Sequence, residues 1–509
     1  MRSFLFALLA LAACARRAPV DTPPPTFLIQ NALLIDGTGA PGRRAGVRVV
    51  GERIAEVGVL EPRRGERVID AGGLVLAPGF IDTHSHHDRG LTEMPEATGA
   101  VSQGITTIVV GQDGGSRSPL AEHFARLEAV PAAVNVASYA GHGTIREQVM
   151  GTDYRRAATA DEIRRMQDLL RAEMAAGALG LSTGLEYDPG IYSSPGEVIE
   201  LAKVAASFGG RYISHVRSED RHFWAAIEEI ISIGREAHLP VQISHIKLAM
   251  RSLWGQADSL LRTLERARAS GVDITADIYP YTYWQSTLTV LFPERDFDNR
   301  ETAEFVLREV STPDGLLLAR FDPDTTYVGK TVAQVAAARG TDPPATLMAL
   351  IRESIAMEKR TGRSTESVIG TSMHERDVEK LLGWPFANVC SDGALNGRHP
   401  RGFGAFTRVL GEYVRERRLL PLEEAIRKMT SLSARNVGVV DRGRIAPGQF
   451  ADLVLLDPLA VRDLATPDEP RARSLGIRTV WVNGRIVYDG EKATGEAAGK
   501  VIRRAVNKE

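Results

Sequence analysis

A chain of 509 residues exceeds what one small hydrophobic core holds, so two or three packed units are expected. At 43% hydrophobic and 25% charged residues, the composition is that of a folded protein and excludes a largely disordered one. Sixty-two basic against 64 acidic residues leave a formal charge of −2, which gives no electrostatic footprint for nucleic acid and no acidic interaction tail.

In chain order, Arg2 and the apolar run from Phe4 to Ala13 come first. The run is too short to span a bilayer and reads as a secretory signal peptide. It ends in Leu11-Ala12-Ala13-Cys14, which resembles the lipobox of bacterial lipoproteins and implies a lipid anchor at Cys14 after export. Cys390 is the only other cysteine, so no intramolecular disulfide is expected once Cys14 is acylated. The following stretch, with Pro19 and Pro23-Pro24-Pro25, reads as an extended tether. Residues 1–26 are therefore assigned to signal and tether, and the mature chain is expected to face the periplasm or cell exterior, touching the membrane only through that lipid.

Residues 27–76 alternate short apolar stretches with turn signals such as Asp36-Gly37 and Gly72-Gly73, the texture of a small antiparallel β-unit. The same texture returns within 438–509, at 451–456 and 479–488, so the two chain ends are candidates to pair as one β-sandwich. Between them, residues 77–437 alternate strand-like runs at 79–82, 105–110, 133–138, 179–182, 212–215, 241–245, 273–277 and 388–392 with helical stretches at 161–176, 195–208, 224–237 and 259–269. Eight such strands predict an α/β fold, a (β/α)8 barrel. About 110 residues separate the seventh and eighth strands, too many for a structureless loop. An inserted subdomain over 290–375 is expected there, leaving from the catalytic face.

Chemistry concentrates at the strand ends. His84 and His86, two apart after the first strand, project to the same side. His215 and His245 end the fifth and sixth strands in the parallel runs Tyr212-Ile213-Ser214-His215 and Gln242-Ile243-Ser244-His245, and Asp392 ends the eighth. Any one of these has a bland reading, as a core histidine or a turn aspartate. Four imidazoles and a carboxylate at barrel strand ends point to a metal site.

These residues sit in longer matching segments. They are Ala77-Pro78-Gly79-Phe80-Ile81-Asp82-Thr83-His84-Ser85-His86, Gly104-Ile105-Thr106-Thr107, Gly141-His142-Gly143-Thr144 and Gly184-Leu185-Glu186-Tyr187, followed by His215-Val216-Arg217-Ser218-Glu219, Ser244-His245-Ile246-Lys247, Asp277-Ile278-Tyr279-Pro280-Tyr281, Ser391-Asp392-Gly393 and His399-Pro400-Arg401. In order and spacing, from Phe27 onward, the chain resembles the amidohydrolase superfamily and, within it, the D-aminoacylase (N-acyl-D-amino-acid deacylase) group. The resemblance implies the barrel, the sandwich and the insertion. It also implies that His84 and His86 hold one zinc ion and His215 and His245 another, with Asp392 as general acid/base. Lys247, Tyr279, Ser286 and Arg401 match the positions that grip a substrate carboxylate. His142 is a candidate for substrate contact, Glu186 a reserve ligand, and His87 and Asp88 candidates to orient ligands. Trp284 reads as packing, and Cys390 has no assigned role.

One position departs from the group's pattern. Where the pattern has a cysteine shared by the metals, this chain has Asp113, in Gly111-Gln112-Asp113-Gly114-Gly115. A carboxylate can bridge two cations through its two oxygens. It is harder than a thiolate, which moves the preference from zinc toward manganese or cobalt. The expected activity is hydrolysis of linear amides in N-acyl-D-amino acids or small D-residue peptides. A dipeptidase, cyclic-amide hydrolase or deaminase could use the same groups, and a non-catalytic envelope binding protein is the reading from another class.

Overall fold

The computed structural model describes residues 26–505. The signal, lipobox and tether expected before Thr26 lie outside the described residues.

Eight parallel strands form the barrel: Phe80–Asp82, Ile105–Val110, Asn135–Ser138, Gly180–Gly184, Arg211–His215, Val241–Ile243, Ile274–Ile278 and Ala387–Val389. Neighbours pair in sequence order. The third strand reaches the fourth through the short continuation Ala140–Gly141. Closure between the eighth strand and the first uses the Asp392 N–H donating to the His84 carbonyl at 2.8 Å, and the His86 N–H donating to that of Gly393 at 2.8 Å. Asp82 reinforces the seam by accepting from the Ser391 N–H at 2.8 Å. The closing bonds thus come from the residues that flank the chemistry.

Two strands end earlier than the sequence suggested. The sixth stops at Ile243 and the eighth at Val389, because His245 and Asp392 have φ of 35° and 50° and leave the extended conformation. Helices Ala160–Ala176, Pro195–Ser207, Phe223–Ala237 and Ala257–Ala269 pack outside, each with an apolar stripe toward the strands. The first of them is held at its start by a Thr159–Glu162 capping box.

The chain ends meet in one eight-stranded sheet, joined where Leu453–Leu456 pairs antiparallel with Val75–Pro78. Alternation along the strand decides which side each residue serves. Leu453 and Leu455 enter the sheet's own core with Trp481, whereas Val454 and Leu456 join the barrel core. The last stretch does not stay with this sheet, as the 438–509 boundary would have it. The Val136 N–H donates to the Lys500 carbonyl and the Ile502 N–H to that of Val136, so residues 499–502 run along the third barrel strand.

The insertion carries a three-stranded antiparallel sheet of Tyr283–Ser286, Glu366–Thr371 and Leu316–Phe321, with Glu366–Thr371 in the middle. It therefore begins before residue 290, since Trp284 is already in register with Gly370. Helices Arg300–Phe305, Val332–Arg339 and Pro343–Thr361 complete it.

Candidate metal centre

Three residues at the top of the barrel, Asp113, His245 and Asp392, have left-handed backbones, with φ of 54°, 35° and 50°. Non-glycine residues adopt this conformation at a cost, and a site that needs the side chain aimed inward offsets it. Each turn sends a ligating group toward the barrel axis immediately after its strand.

There His84, His86, Asp113 and Asp392 form one group with metal-ligand spacing, and Asp113, His215 and His245 form a second. Asp113 belongs to both. Its Oδ2 lies 3.4 Å from His84 Nε2 and 3.1 Å from His86 Nε2, and its Oδ1 lies 3.6 Å from His245 Nε2. Asp392 Oδ1 stands 3.5 and 3.3 Å from the same two nitrogens of His84 and His86. Ligands about 2.1 Å from a tetrahedral ion lie roughly 3.4 Å apart. These spacings match that value, and His84 Nε2 and Asp113 Oδ1, both buried, have no hydrogen-bond partner. In the second group His215 Nδ1 and His245 Nε2 face each other at 3.1 Å, an approach that needs a proton or a cation between two lone pairs. The residues fit one cation in each group, with Asp113 reaching both.

The electrostatics agree. Burial opposes a charged His84, but Asp113, Asp392 and Asp277 outweigh it and raise its pKa to about 9. Burial also opposes the charged forms of Asp113 and Asp392. His84 and its neighbours hold Asp113 well below the usual carboxylate range, and Arg401 with His84 does the same for Asp392. Both carboxylates are ionised, as ligands or proton acceptors must be. The cation-binding character is present before any ion arrives.

A surrounding set of carboxylates aims the imidazoles. Glu186 Oε2 lies 2.8 Å from His215 Nε2, on the ring edge opposite the site. Glu186, read as a reserve ligand, thus stands behind a ligand, although it also forms a ligand-spaced group with His215 and Glu219. Glu219 Oε1 lies 3.2 Å from His245 Nδ1 and accepts from Lys247 Nζ at 2.5 Å. Asp277 accepts from the His245 N–H at 2.6 Å and from Gln242 at 2.7 Å, and lies 3.8 Å from His84 Nδ1. Such partners fix ring orientation and raise ligand basicity. No role was read for Glu219 or Asp277 from sequence, although Asp277 sits near the end of a barrel strand, where a carboxylate is a signal. His87 bonds Ser85 Oγ at 2.6 Å and the Gly402 carbonyl at 3.1 Å, so it braces the helix that starts at Arg401 rather than a ligand. No bond from Asp88 to a ligand is seen among the described residues. Cys390 is fully buried; burial first, then Asp277 and Asp82, push its thiol well up, which keeps it neutral.

Lys247, Tyr279, Ser286 and Arg401 line one cavity with His215, His245 and Asp392. Arg401 Nη1 is 2.6 Å from Asp392 Oδ2, and its Nε has no partner. Tyr279 Oη is also buried without a partner, and its ring lies 4.8 Å from the guanidinium. Trp284, read as packing, is part of the lining. His142 is a correction: it does not line the cavity. Its Nε2 lies 2.9 Å from Glu197, which also pairs with Arg146, all three fully buried. That contact braces the start of the helix His142–Met150, in place of the substrate contact expected of it.

The model of the family described as "Amidohydrolase family" matches residues 67–488. A D-aminoacylase of Alcaligenes xylosoxydans xylosoxydans is 38% identical, covering 95% of this chain and 99% of its own. An N-acyl-D-aspartate deacylase of the same organism is also 38% identical, covering 96% and 97%. The crystal structure of an N-acyl-D-glutamate deacylase from Bordetella bronchiseptica, complexed with zinc and a phosphonate mimic of the tetrahedral intermediate, superposes with a TM-score of 0.85. It is 37% identical and covers 94% of this chain and all of its own.

Proposed function

This chain belongs to the amidohydrolase family, and from that premise we propose that it is a zinc-dependent deacylase of N-acyl-D-amino acids. The observation that carries the reading is one cavity in which the second ligand pair, Asp392 and four groups suited to a carboxylate converge. A linear amide beside a free carboxylate has the matching shape.

When bound, zinc supplies a Lewis acid that polarises a carbonyl and acidifies water. The chain's own residues do the rest. Arg401, Tyr279, Ser286 and Lys247 hold the substrate carboxylate, which fixes the amide carbon over the floor of the barrel. Asp392, ionised and facing His84 and His86, accepts a proton at Oδ1 from the water that attacks that carbon. It returns the proton to the amine nitrogen as the C–N bond breaks, leaving a carboxylic acid and a free D-amino acid. Arg401 pairs with Asp392 in this structure, so a bound carboxylate competes for the guanidinium and frees Asp392 to act as a base. Buried Tyr279, its pKa far above the usual phenol by burial, stays a hydrogen-bond donor.

The test is hydrolysis of paired N-acetyl-D- and N-acetyl-L-amino acids, with dipeptides alongside and metal content measured on the same protein. D-selective amine release by metal-loaded protein is the expected result. Bound metal with turnover only of dipeptides or cyclic amides would overturn the assignment.

For location, the reading is an exported lipoprotein anchored through Cys14, supported by the Leu11-Ala12-Ala13-Cys14 sequence. Cys14→Ser is expected to move the protein from the membrane to the soluble fraction, and unchanged membrane association would remove the anchor.

A further inference from the structure

The carboxylate grip serves the amine side of the scissile bond, so the acyl half of the substrate must leave the reacting carbon in another direction. The structure offers one. Tyr187, Gln285, Ser286, Asp392 and Arg401 line the grip cavity and also a second opening, on the His86 and Asp113 side. The two spaces meet at Asp392, the proton carrier, where the C–N bond is cut. With the amino acid's carboxylate held in the first space, the acyl chain runs into the second. That opening has a volume of about 570 Å³, far more than an acetyl group fills.

Three arginines line it beyond the shared residues: Arg89 after the first barrel strand, Arg398 after the eighth, and Arg320 on the insertion strand Leu316–Phe321. All three are exposed. The side chains of Arg89 and Arg398 make no ion pair or hydrogen bond among the described residues. Arg320 Nη2 donates to the Ser364 carbonyl at 2.8 Å, and its nearest carboxylate, on Asp322, is 3.8 Å away. In the grip cavity, by contrast, both cations are paired, Lys247 with Glu219 at 2.5 Å and Arg401 with Asp392 at 2.6 Å. The acids of the second opening do not balance its arginines. Asp113 and Asp392 belong to the metal-ligand group. Glu366 is fully buried, with Oε2 unpartnered, and burial raises its pKa to about 8, so it is mostly uncharged at neutral pH. A carboxylate entering here would gain forked, charge-assisted hydrogen bonds, whereas an alkyl chain would gain none.

Resting on the deacylase reading above, we propose that this opening takes the acyl half of the substrate, and that the acyl group carries a carboxylate of its own, held by Arg89, Arg320 and Arg398. The substrate is then a half-amide between a dicarboxylic acid and a D-amino acid. Water adds to the amide carbon, the C–N bond breaks, and the products are the dicarboxylate and the free D-amino acid. The reaction is the one already described, and only the group recognised at the acyl end is new.

The experiment measures kcat/KM of the zinc-loaded protein for the N-acetyl, N-succinyl and N-glutaryl derivatives of the D-amino acids in the panel above. N-isocaproyl and N-isoheptanoyl derivatives serve as uncharged counterparts of the same shape. Wild type is expected to favour each dicarboxylic acyl group over its counterpart by roughly 10- to 100-fold, chiefly through KM, as one or two charge-assisted hydrogen bonds would give. Arg89→Met combined with Arg398→Met is expected to reduce that ratio by about tenfold or more, and Arg320→Met to reduce it further. Because the ratio compares two substrates on one preparation, a general loss of folded protein cancels from it. Absence of the preference in wild type would overturn the proposal, as would a preference that survived replacement of all three arginines. If the same variants lowered N-acetyl-D-glutamate against N-acetyl-D-glutamine by an equal factor, the arginines would serve the side chain or attract dianions in general, and the acyl assignment would again be overturned. Turnover of none of the derivatives by zinc-loaded protein would instead strike the deacylase reading, and the acyl assignment would fall with it.

Discussion

The floor of the site and its cover are built on opposite plans. The floor is polar and over-determined: His84, His86, His215 and His245 sit at or just beyond barrel strand ends, Glu186 and Glu219 contact the rings of His215 and His245, and Asp277 adds negative charge 3.8 Å from His84 Nδ1. The wall of the cover is apolar: Trp284, Val290, Leu291 and Val310, from the segment between two barrel strands, line the cavity above the ligands. That difference in plan predicts that chemistry and selectivity separate between the two parts of the chain. A change in the floor should abolish the reaction for every substrate, whereas a change in the cover should re-rank substrates and leave the metal in place.

The largest break in that comparison comes from Asp392→Asn. The amide keeps an oxygen toward His84 and His86, so metal content should be retained while kcat falls by about a thousandfold or more for all substrates alike. Near-normal turnover would remove Asp392 as the proton carrier. Asp113→Ala comes next. Because its two oxygens face the two ligand groups, this one substitution should lower zinc occupancy in both, read by metal analysis without any assay. Loss from one group only would show that the carboxylate is not shared. Asp277→Asn is smaller: the backbone bond to His245 can persist while the negative charge behind His84 is lost, with an expected 10- to 100-fold loss in metal affinity, of the order found for partners of metal ligands.

The floor was more legible in the sequence than the cover, for a physical reason. Strand ends in a barrel are a fixed address, so His84, His86, His215, His245 and Asp392 could be recognised by position, and the structure brings them within one site. Their orienting partners were less visible. Glu219 sits four residues beyond His215 in a loop, and only the tertiary fold shows that its carboxylate turns back to His245 and Lys247. His142 illustrates the converse error. Gly141-His142-Gly143 follows a barrel strand as a site residue would, yet a buried Glu197 fifty-five residues later claims the ring. The cover had no address at all. Val290, Leu291 and Val310 are ordinary apolar residues whose common destination depends on how the insertion folds back, and Trp284 read as packing for the same reason.

The smallest effect separates floor from cover by pH. In metal-free protein the pKa of His84 is raised to about 9 from an ordinary 6.5, so its stabilisation is complete below about 6.5 and is lost as pH rises through 9. In the insertion, Glu366 is fully buried, with Oε2 unpartnered and Oε1 accepting from the Leu288 N–H at 2.7 Å. Burial raises its pKa to about 8, so its protonated form stabilises the fold below about 4.5, and that contribution is lost as pH rises to 8. Both groups make metal-free protein less stable in alkali, but only one is answerable to metal. Zinc replaces the proton on His84, so loading should flatten the fall in Tm between pH 6.5 and 9 and leave the fall between 4.5 and 8 intact. Glu366→Gln should do the reverse, removing the lower-pH component with or without zinc. If zinc suppressed both components, the cover would be coupled to the floor through the Leu288 turn, and the separation of chemistry from selectivity would have to be given up.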